Sequence, residues 1–211
     1  MPYYNLSVPI SEEEIRSLYV GDTVSLSGVV VTARDAAHKF VVEQLLSDGV
    51  PEEERALYGT LESRLNEGAI YHCGPVVRRH GHDWEFVAAG PTTSIREEPF
   101  MPEIIGHFGL RGIIGKGGMG PATLDALQEH GAAYLHAIGG AASLIADRVT
   151  EVLSVHKREA FGTPEAFWVI RVANFPAVVT MDSHGQSIHA DVERRSAENL
   201  ARLQTDVAQY T

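Results

Sequence analysis

Residues 111–140 place the strongest constraint on how this chain can fold. An apolar run (RGII) leads into a glycine-rich loop, then into a segment of helical character, and finally into a second apolar run. Pro121 and Gly131 mark the two ends of the helix, because proline favours the first helical turn and glycine favours the position just past the last. The segment is therefore predicted to form a strand–helix–strand crossover.

The rest of the chain predicts strands in hairpin-like pairs together with further helices. Strands are predicted at 22–33, 69–77, 84–89, 149–155, 166–172 and 176–181. Helices are predicted at 36–47, within 52–68, at 140–148 and from about 192 to 210, the last with Leu200, Leu203 and Val207 at helical spacing. This order favours a mixed, layered α/β fold over a doubly wound sheet. We expect a single domain over residues 1–190, followed by a C-terminal helical tail over 191–211.

Composition excludes several classes of function. The 211 residues suit one domain, and 28 acidic against 17 basic residues give a net charge of −11, which argues against nucleic-acid and membrane partners. The sequence shows neither a membrane-length apolar run nor a signal-peptide pattern, so a cytoplasmic location is predicted. Cys73 is the only cysteine, which excludes a disulfide or a cysteine-ligated cluster built from this chain alone. His80 and His82 lie in a predicted turn without a third ligand, so no metal site is predicted.

The glycine-rich loop Gly115–Gly120 has the spacing G-x-G-x-x-G between a strand and a helix, which is the context of a dinucleotide site. The next strand, however, lacks an acidic residue for the ribose, and Lys116 lies inside the loop. A phosphate-loop motif fails as well, because Leu110 and Gly117 stand where it needs glycine and a hydroxyl residue. Two readings stay open: a small anion site formed by backbone N–H groups and Lys116, or a tight turn.

Three cations are predicted at strand-to-loop junctions. Arg34 follows the strand 22–33, at the end where open sheets bind ligands, and Asp35 beside it suits a helix N-cap or first turn. Arg96 follows a turn-like segment and carries a planar, two-pronged donor suited to a carboxylate. Together with Lys116, these arginines indicate a small dicarboxylate ligand.

Seven stretches of the chain resemble the β subunit of class I fumarate hydratases and of L(+)-tartrate dehydratase, which corresponds to the C-terminal domain of single-chain class I fumarases. They occur in family order and cover most of residues 20–185. The stretches are GDTVSLSGVVVTARDAAHKF (21–40), YHCGPVV (71–77), AAGPTTSIR (88–96), IIGKGGMG (113–120), YLHAIGGAASL (134–144), FGTPEAFWVIRVANFP (161–176) and MDSHG (181–185).

The resemblance implies a swivelling β/β/α domain that works with a partner α subunit in an α2β2 assembly. The α subunit would hold a 4Fe–4S cluster on three cysteines, and the active site would lie between the two chains. The implied reaction is the reversible hydration of fumarate to L-malate, and the alternative is the dehydration of tartrate to oxaloacetate.

The resemblance also implies roles for individual residues. Thr92 matches the proposed catalytic base, which removes the C3 proton of the hydroxy acid. Arg34, Arg96 and Lys116 match groups that hold the substrate carboxylates, while the acid for the leaving hydroxyl would come from the α subunit. Supporting positions within the same motifs are Asp35, His38, Thr93 and Gly117.

The chain departs from the family pattern at two places. Ile95 stands where fumarases usually have glycine and tartrate dehydratases tend towards a larger apolar residue, which favours tartrate slightly. Glu97 and Glu98 stand where the family often has methionine and then an acid, and two carboxylates there would repel a dianion unless they point away or pair with a cation. Two further hypotheses stay open: a stand-alone anion- or nucleotide-binding module built on the glycine loop, and a structural partner that has lost catalysis.

Overall fold

A computed structural model describes residues 2–47, 49–81 and 83–208 of the chain. The strands are β1 Tyr3–Ser7, β2 Thr23–Thr32, β3 Ala69–Tyr71, β4 Val76–His80, β5 Asp83–Ala88, β6 Gly112–Gly115, β7 Ala133–His136, β8 Val149–His156 and β9 Phe167–Met181. The α-helices are α1 Glu12–Arg16, α2 Asp35–Phe40, α3 Arg55–Leu65, α4 Met101–Phe108, α5 Pro121–His130, α6 Ala142–Ala146, α7 Arg158–Phe161 and α8 Ile188–Ala208. A π-helical segment lies at Val41–Leu46, and 3-10 turns lie at Glu52–Glu54 and Ser94–Glu97.

The strands of the main sheet close into a ring. β2, β3, β6 and β7 pair in parallel, and β9 pairs antiparallel with both β7 and β2. β1 extends β2 in parallel, β8 pairs with β9, and β4 and β5 form a separate hairpin. Because neighbouring parallel strands point the same way, the carboxyl ends of β2, β3 and β6 meet at one edge of the sheet.

Two hydrophobic clusters lie on opposite faces of this sheet. Ile113 belongs to one cluster and its neighbour Ile114 to the other, as expected when successive side chains of a strand alternate between faces. Leu61 of α3 and Ile105 of α4 pack in the first cluster, whereas Phe86 of the hairpin packs in the second. The sheet therefore lies between a layer of helices and a second β layer, which confirms the predicted mixed β/β/α class.

Several element bounds differ from prediction. The helix predicted at 36–47 turns π-helical from Val41, and the strand predicted at 69–77 breaks into β3 and β4 around Gly74 and Pro75. The separate strands predicted at 166–172 and 176–181 are one continuous strand, β9, because both parts pair with β2. Elements that were not predicted are β1, α1, α4 and α7.

The tail helix α8 starts earlier than predicted, at Ile188, and runs through the predicted boundary at 190/191. Leu200 and Leu203 are 56% and 57% exposed, so they do not pack on the domain. The side chain of Val207 and residues 209–211 lie outside the described part of the chain. Within the described residues, none of the helices combines the length and apolar character needed to cross a membrane.

Candidate active site

The carboxyl edge of the sheet gathers the predicted site residues. Arg34 follows β2, His72 follows β3 and Lys116 follows β6, and these three strands are parallel neighbours. Residues separated by tens of positions in the sequence therefore meet at one edge. This placement agrees with the expected strand-to-loop junctions for Arg34 and Lys116, whereas Arg96 lies in the 3-10 turn Ser94–Glu97 and not at a strand end.

The backbone of Thr92 is clamped between the ends of β3 and β6. Its N–H donates to the His72 carbonyl at 2.6 Å, and its own carbonyl accepts from the Lys116 N–H at 3.2 Å. The Ser94 N–H then donates to the Lys116 carbonyl at 3.0 Å, so the segment lies between the strands like a short extra strand. Thr92 is half-buried and Thr93 is exposed. These bonds fix the point from which the Thr92 hydroxyl projects.

A buried hydrogen-bonded group includes His72, whose carbonyl accepts from the Thr92 N–H. The Ser94 hydroxyl accepts from the Tyr134 hydroxyl at 2.8 Å and lies 2.8 Å from His72 Nδ1. Gly115 makes room for it, since a Cβ at that position would lie 1.9 Å from Ser94 Oγ. Sequence reasoning missed this group, because its members come from three distant segments and only the fold brings them together.

The two arginines share one carboxylate. Asp35 Oδ2 lies 2.5 Å from Arg96 Nη2 and 3.8 Å from Arg34 Nη2, and Glu165 Oε1 lies 3.3 Å from Arg34 Nε. Asp35 is a first-turn acid of α2 that bridges two guanidinium groups, not the helix N-cap, whose position Arg34 holds. The arrangement orients both arginines and partly neutralises them.

Gly74 and His38 also determine the position of Arg34. A Cβ at Gly74 would lie 2.6 Å from Arg34 Nη1 and 2.8 Å from its Cδ, so only glycine leaves this space for the guanidinium. His38 Nδ1 donates to the Arg34 carbonyl at 2.9 Å. Burial lowers the pKa of His38 to about 4, which keeps the ring neutral at pH 7. The predicted support of Arg34 by His38 thus has a direct contact.

Lys116 and Gly117 belong to the loop that follows β6. Lys116 is half-buried, and among the described residues it makes no ion pair, in contrast with the two arginines. Gly117 has a φ of +83° and lines, with Ile95 and Met119, a cavity of about 690 Å³ beside α8. Lys116 is therefore the cation whose charge is least compensated by the protein.

The carboxylate of Glu98 caps the start of α5. Its carboxylate accepts from the Gly120 N–H at 2.7 Å, the Thr123 N–H at 3.0 Å and the Thr123 hydroxyl at 2.6 Å. These N–H groups at the start of the helix are the donors that a bound phosphate would need. Because an internal carboxylate already uses them, the structure disfavours the nucleotide interpretation of the glycine loop.

Glu97, in contrast, is fully buried beneath the arginines. Its Oε2 lies 3.9 Å from His38 Nδ1, and neither carboxyl oxygen has a hydrogen-bond partner among the described residues. Burial, aided by the negative charge of Asp35, raises the pKa of Glu97 to about 8, so the group is mostly an uncharged acid at pH 7. Neither of the two adjacent glutamates therefore presents an unpaired charge to the site.

The residues of this chain do not fit an iron–sulfur cluster. Cys73 is buried, and burial raises the pKa of its thiol to about 12, which disfavours the thiolate that iron requires. In the part of the chain that the structure describes, histidine, cysteine and acidic side chains form no group of three or more that could hold a metal. His80 pairs with Glu85 at 2.7 Å on the exposed hairpin, and His82 lies outside the described residues.

The fold and site together define a layered α/β domain with a cation-lined edge. Residues 3–192 match the Fumarase C-terminus family. The chain belongs to this family, which confirms the resemblance found in its motifs.

Two relatives illustrate the range of the family. The chain is 49% identical over 203 residues to "Putative fumarate hydratase class I" of Geobacillus stearothermophilus, covering 96% of this chain and 36% of that protein. It is 37% identical over 206 residues to "L(+)-tartrate dehydratase subunit beta" of Escherichia coli (strain K12), covering 97% and 96%. The chain thus spans about a third of the first relative and nearly all of the second.

Proposed function

We propose that this chain is the β subunit of a carbon–oxygen hydro-lyase of the class I fumarate hydratase type, which interconverts fumarate and L-malate. The observation that carries the proposal is the clamped backbone of Thr92, held between the ends of β3 and β6 on the same edge as Arg34, Arg96 and Lys116. Fumarate carries two carboxylates, and guanidinium and ammonium groups are their natural partners. The similarity to the class I relative supports the same assignment.

In this proposal Thr92 is the base, and the cations bind and polarise the substrate. As its alkoxide, the Thr92 side chain accepts the proton from C3 of the hydroxy acid during dehydration, and the resulting hydroxyl returns that proton during hydration. Because a threonine hydroxyl is a poor base in water, the step needs nearby positive charge to stabilise the anions that form. Asp35 keeps both guanidinium groups in place, and Lys116 supplies the charge that the protein leaves uncompensated.

The proposal assigns the 4Fe–4S cluster and the acid to a partner α subunit, in an α2β2 assembly located in the cytoplasm. The single buried Cys73 of this chain supports a cluster held elsewhere. The relative named subunit beta, which matches almost end to end, supports a partner chain. With the cluster outside this chain, its own residues bind substrate, orient it and move the C3 proton.

A specific observation favours L(+)-tartrate as the second candidate substrate. Ile95 is 50% exposed and lines the cavity beside Gly117, so a bulky apolar group faces the cavity that borders the glycine loop. The family pattern associates a larger residue at this position with tartrate dehydratases. In this proposal, the size of the space beside Ile95 therefore determines which substrate the enzyme prefers.

The test is an anaerobic co-purification of the chain with its partner, followed by iron analysis and assays on fumarate, L-malate and both tartrates. In the assembled enzyme, Thr92→Ala should lower turnover by at least about 100-fold, the usual scale of general-base catalysis. Thr92→Ser keeps a hydroxyl and should retain far more activity. Near-normal turnover of Thr92→Ala would remove Thr92 from the base role. A chain that purifies alone, free of iron and inactive, would instead favour the binding module.

A further inference from the structure

Glu97 is a buried carboxyl group that the proposed reaction does not use. Its side chain has no exposed surface, and both of its oxygens lack a hydrogen-bond partner among the described residues. An ionised carboxylate without donors is strongly disfavoured in such a place, whereas the neutral acid is tolerated. The surroundings of Glu97 therefore select its protonated form.

Charged and titratable groups face Glu97 from three parts of the fold. His38, Arg34 and Asp35 approach from the start of α2, Arg96 is adjacent in the 3-10 turn, and Glu165 comes from the loop before β9. His38 is neutral, so the nearby charges are two arginines against two carboxylates. A third carboxylate at position 97 would attract both arginines inward.

The charge balance among the predicted cations and the carboxylates that pair with them depends on the same group. Adding Lys116 gives three positive charges against two negative ones, a net charge of one positive unit that favours a dianion. Ionisation of Glu97 would bring that balance to zero and place a buried negative charge beside Arg34 and Arg96. Its protonation state thus decides whether the edge attracts a dicarboxylate.

We propose that Glu97, kept as an uncharged acid, is a positioning residue that leaves Arg34 and Arg96 available to the substrate carboxylates, an inference that rests on the proposed function. Ionised Glu97 pulls the guanidinium groups towards itself and weakens substrate binding. The rate of the proton transfer at Thr92 is affected less, because Glu97 pairs with neither Thr92 nor Lys116 among the described residues. The role of Glu97 is therefore visible in KM rather than in kcat.

The experiment compares the assembled wild-type enzyme with Glu97→Gln and Glu97→Met, measuring kcat and KM for fumarate and L(+)-tartrate from about pH 6 to about pH 9.5. Both substitutions remove the charge and roughly preserve the volume. The wild-type KM should rise about tenfold across this range, with kcat changing by less than about twofold, since one added charge acts on binding. Both variants should lose the rise in KM. Glu98→Gln, on the same turn, is the matched control and should keep it.

A ¹³C titration of glutamate carboxyls in the wild-type complex provides a readout independent of activity and of the folding of any variant. One carboxyl should titrate near pH 8. If every glutamate titrates below about pH 6, the proposal fails, because Glu97 is then ionised throughout. If the Glu97→Gln complex is active and its KM still rises with pH as in the wild type, the role of Glu97 is wrong but the proposed function stands. A complex that turns over no dicarboxylate overturns the proposed function itself.

Discussion

Removing the carboxylate of Glu98 should destabilise the fold without touching the cations of the site. In Glu98→Ala, the Gly120 N–H, the Thr123 N–H and the Thr123 hydroxyl lose their common acceptor. The start of α5 also loses a negative charge that complements the helix dipole. The substitution therefore tests whether a side chain from another turn serves as the N-cap of this helix.

The expected cost follows from these contacts. Loss of an N-cap to alanine costs about 0.5–2 kcal/mol, and hydrogen bonds to a charged group contribute about 1.5–3 kcal/mol each. The losses are not additive, because water reaches the half-buried Gly120 and replaces part of what is lost. We expect a decrease of about 2–3 kcal/mol in the free energy of unfolding, which for a chain of this length lowers Tm by about 5–10 °C.

The assay is chemical and thermal unfolding of the purified protein, with two comparison variants. Glu98→Gln keeps one acceptor oxygen and should lose about half as much stability. Glu103→Ala removes an exposed glutamate from the nearby helix α4 and should change the free energy by no more than about 0.5 kcal/mol. If Glu98→Ala is as stable as Glu103→Ala, the carboxylate does not cap α5, and the N–H groups of Gly120 and Thr123 stay open to a nucleotide phosphate.

Two further predictions concern the cations of the site. Gly74→Ala places a Cβ 2.6 Å from Arg34 Nη1, so the guanidinium must move. In the assembled enzyme, KM should therefore rise about tenfold or more. An unchanged KM would show that Arg34 does not bind substrate. Lys116→Met should chiefly weaken substrate affinity, because it removes the least compensated cation. The measurement compares the change in KM with the change in kcat. An unchanged apparent affinity would exclude a carboxylate contact by Lys116.

Local patterns were sufficient for the elements that carry the cations. The β-branched run of β2 and the Pro121 and Gly131 bounds of α5 predicted these elements well, and the positions of Arg34 and Lys116 followed from them. The helix α1 was missed although its signal is present, since Ser11 and Glu14 form a capping box. The signals for β2, α5 and α1 all come from residues that are close together in the sequence.

The environment of the site could not be predicted from local patterns. Burial of Glu97, the contact of Ser94 with Tyr134, and the space that Gly74 leaves for Arg34 arise from segments far apart in the chain. A Glu-Glu pair after an arginine reads as a solvated acidic turn, yet one member is buried and the other caps a helix. Only the packing of β2, β3 and β6 side by side distinguishes the buried glutamate from the one that caps the helix.

The closed ring of strands has a consequence for how the chain folds. β9 completes the ring by pairing along β2, with Thr32 opposite Trp168, so the joining contact spans most of the sequence. Pairing of such distant segments carries a large loop-closure cost and slows folding. During synthesis, the edge that gathers Arg34, Thr92 and Lys116 cannot acquire its final support until β9 has left the ribosome.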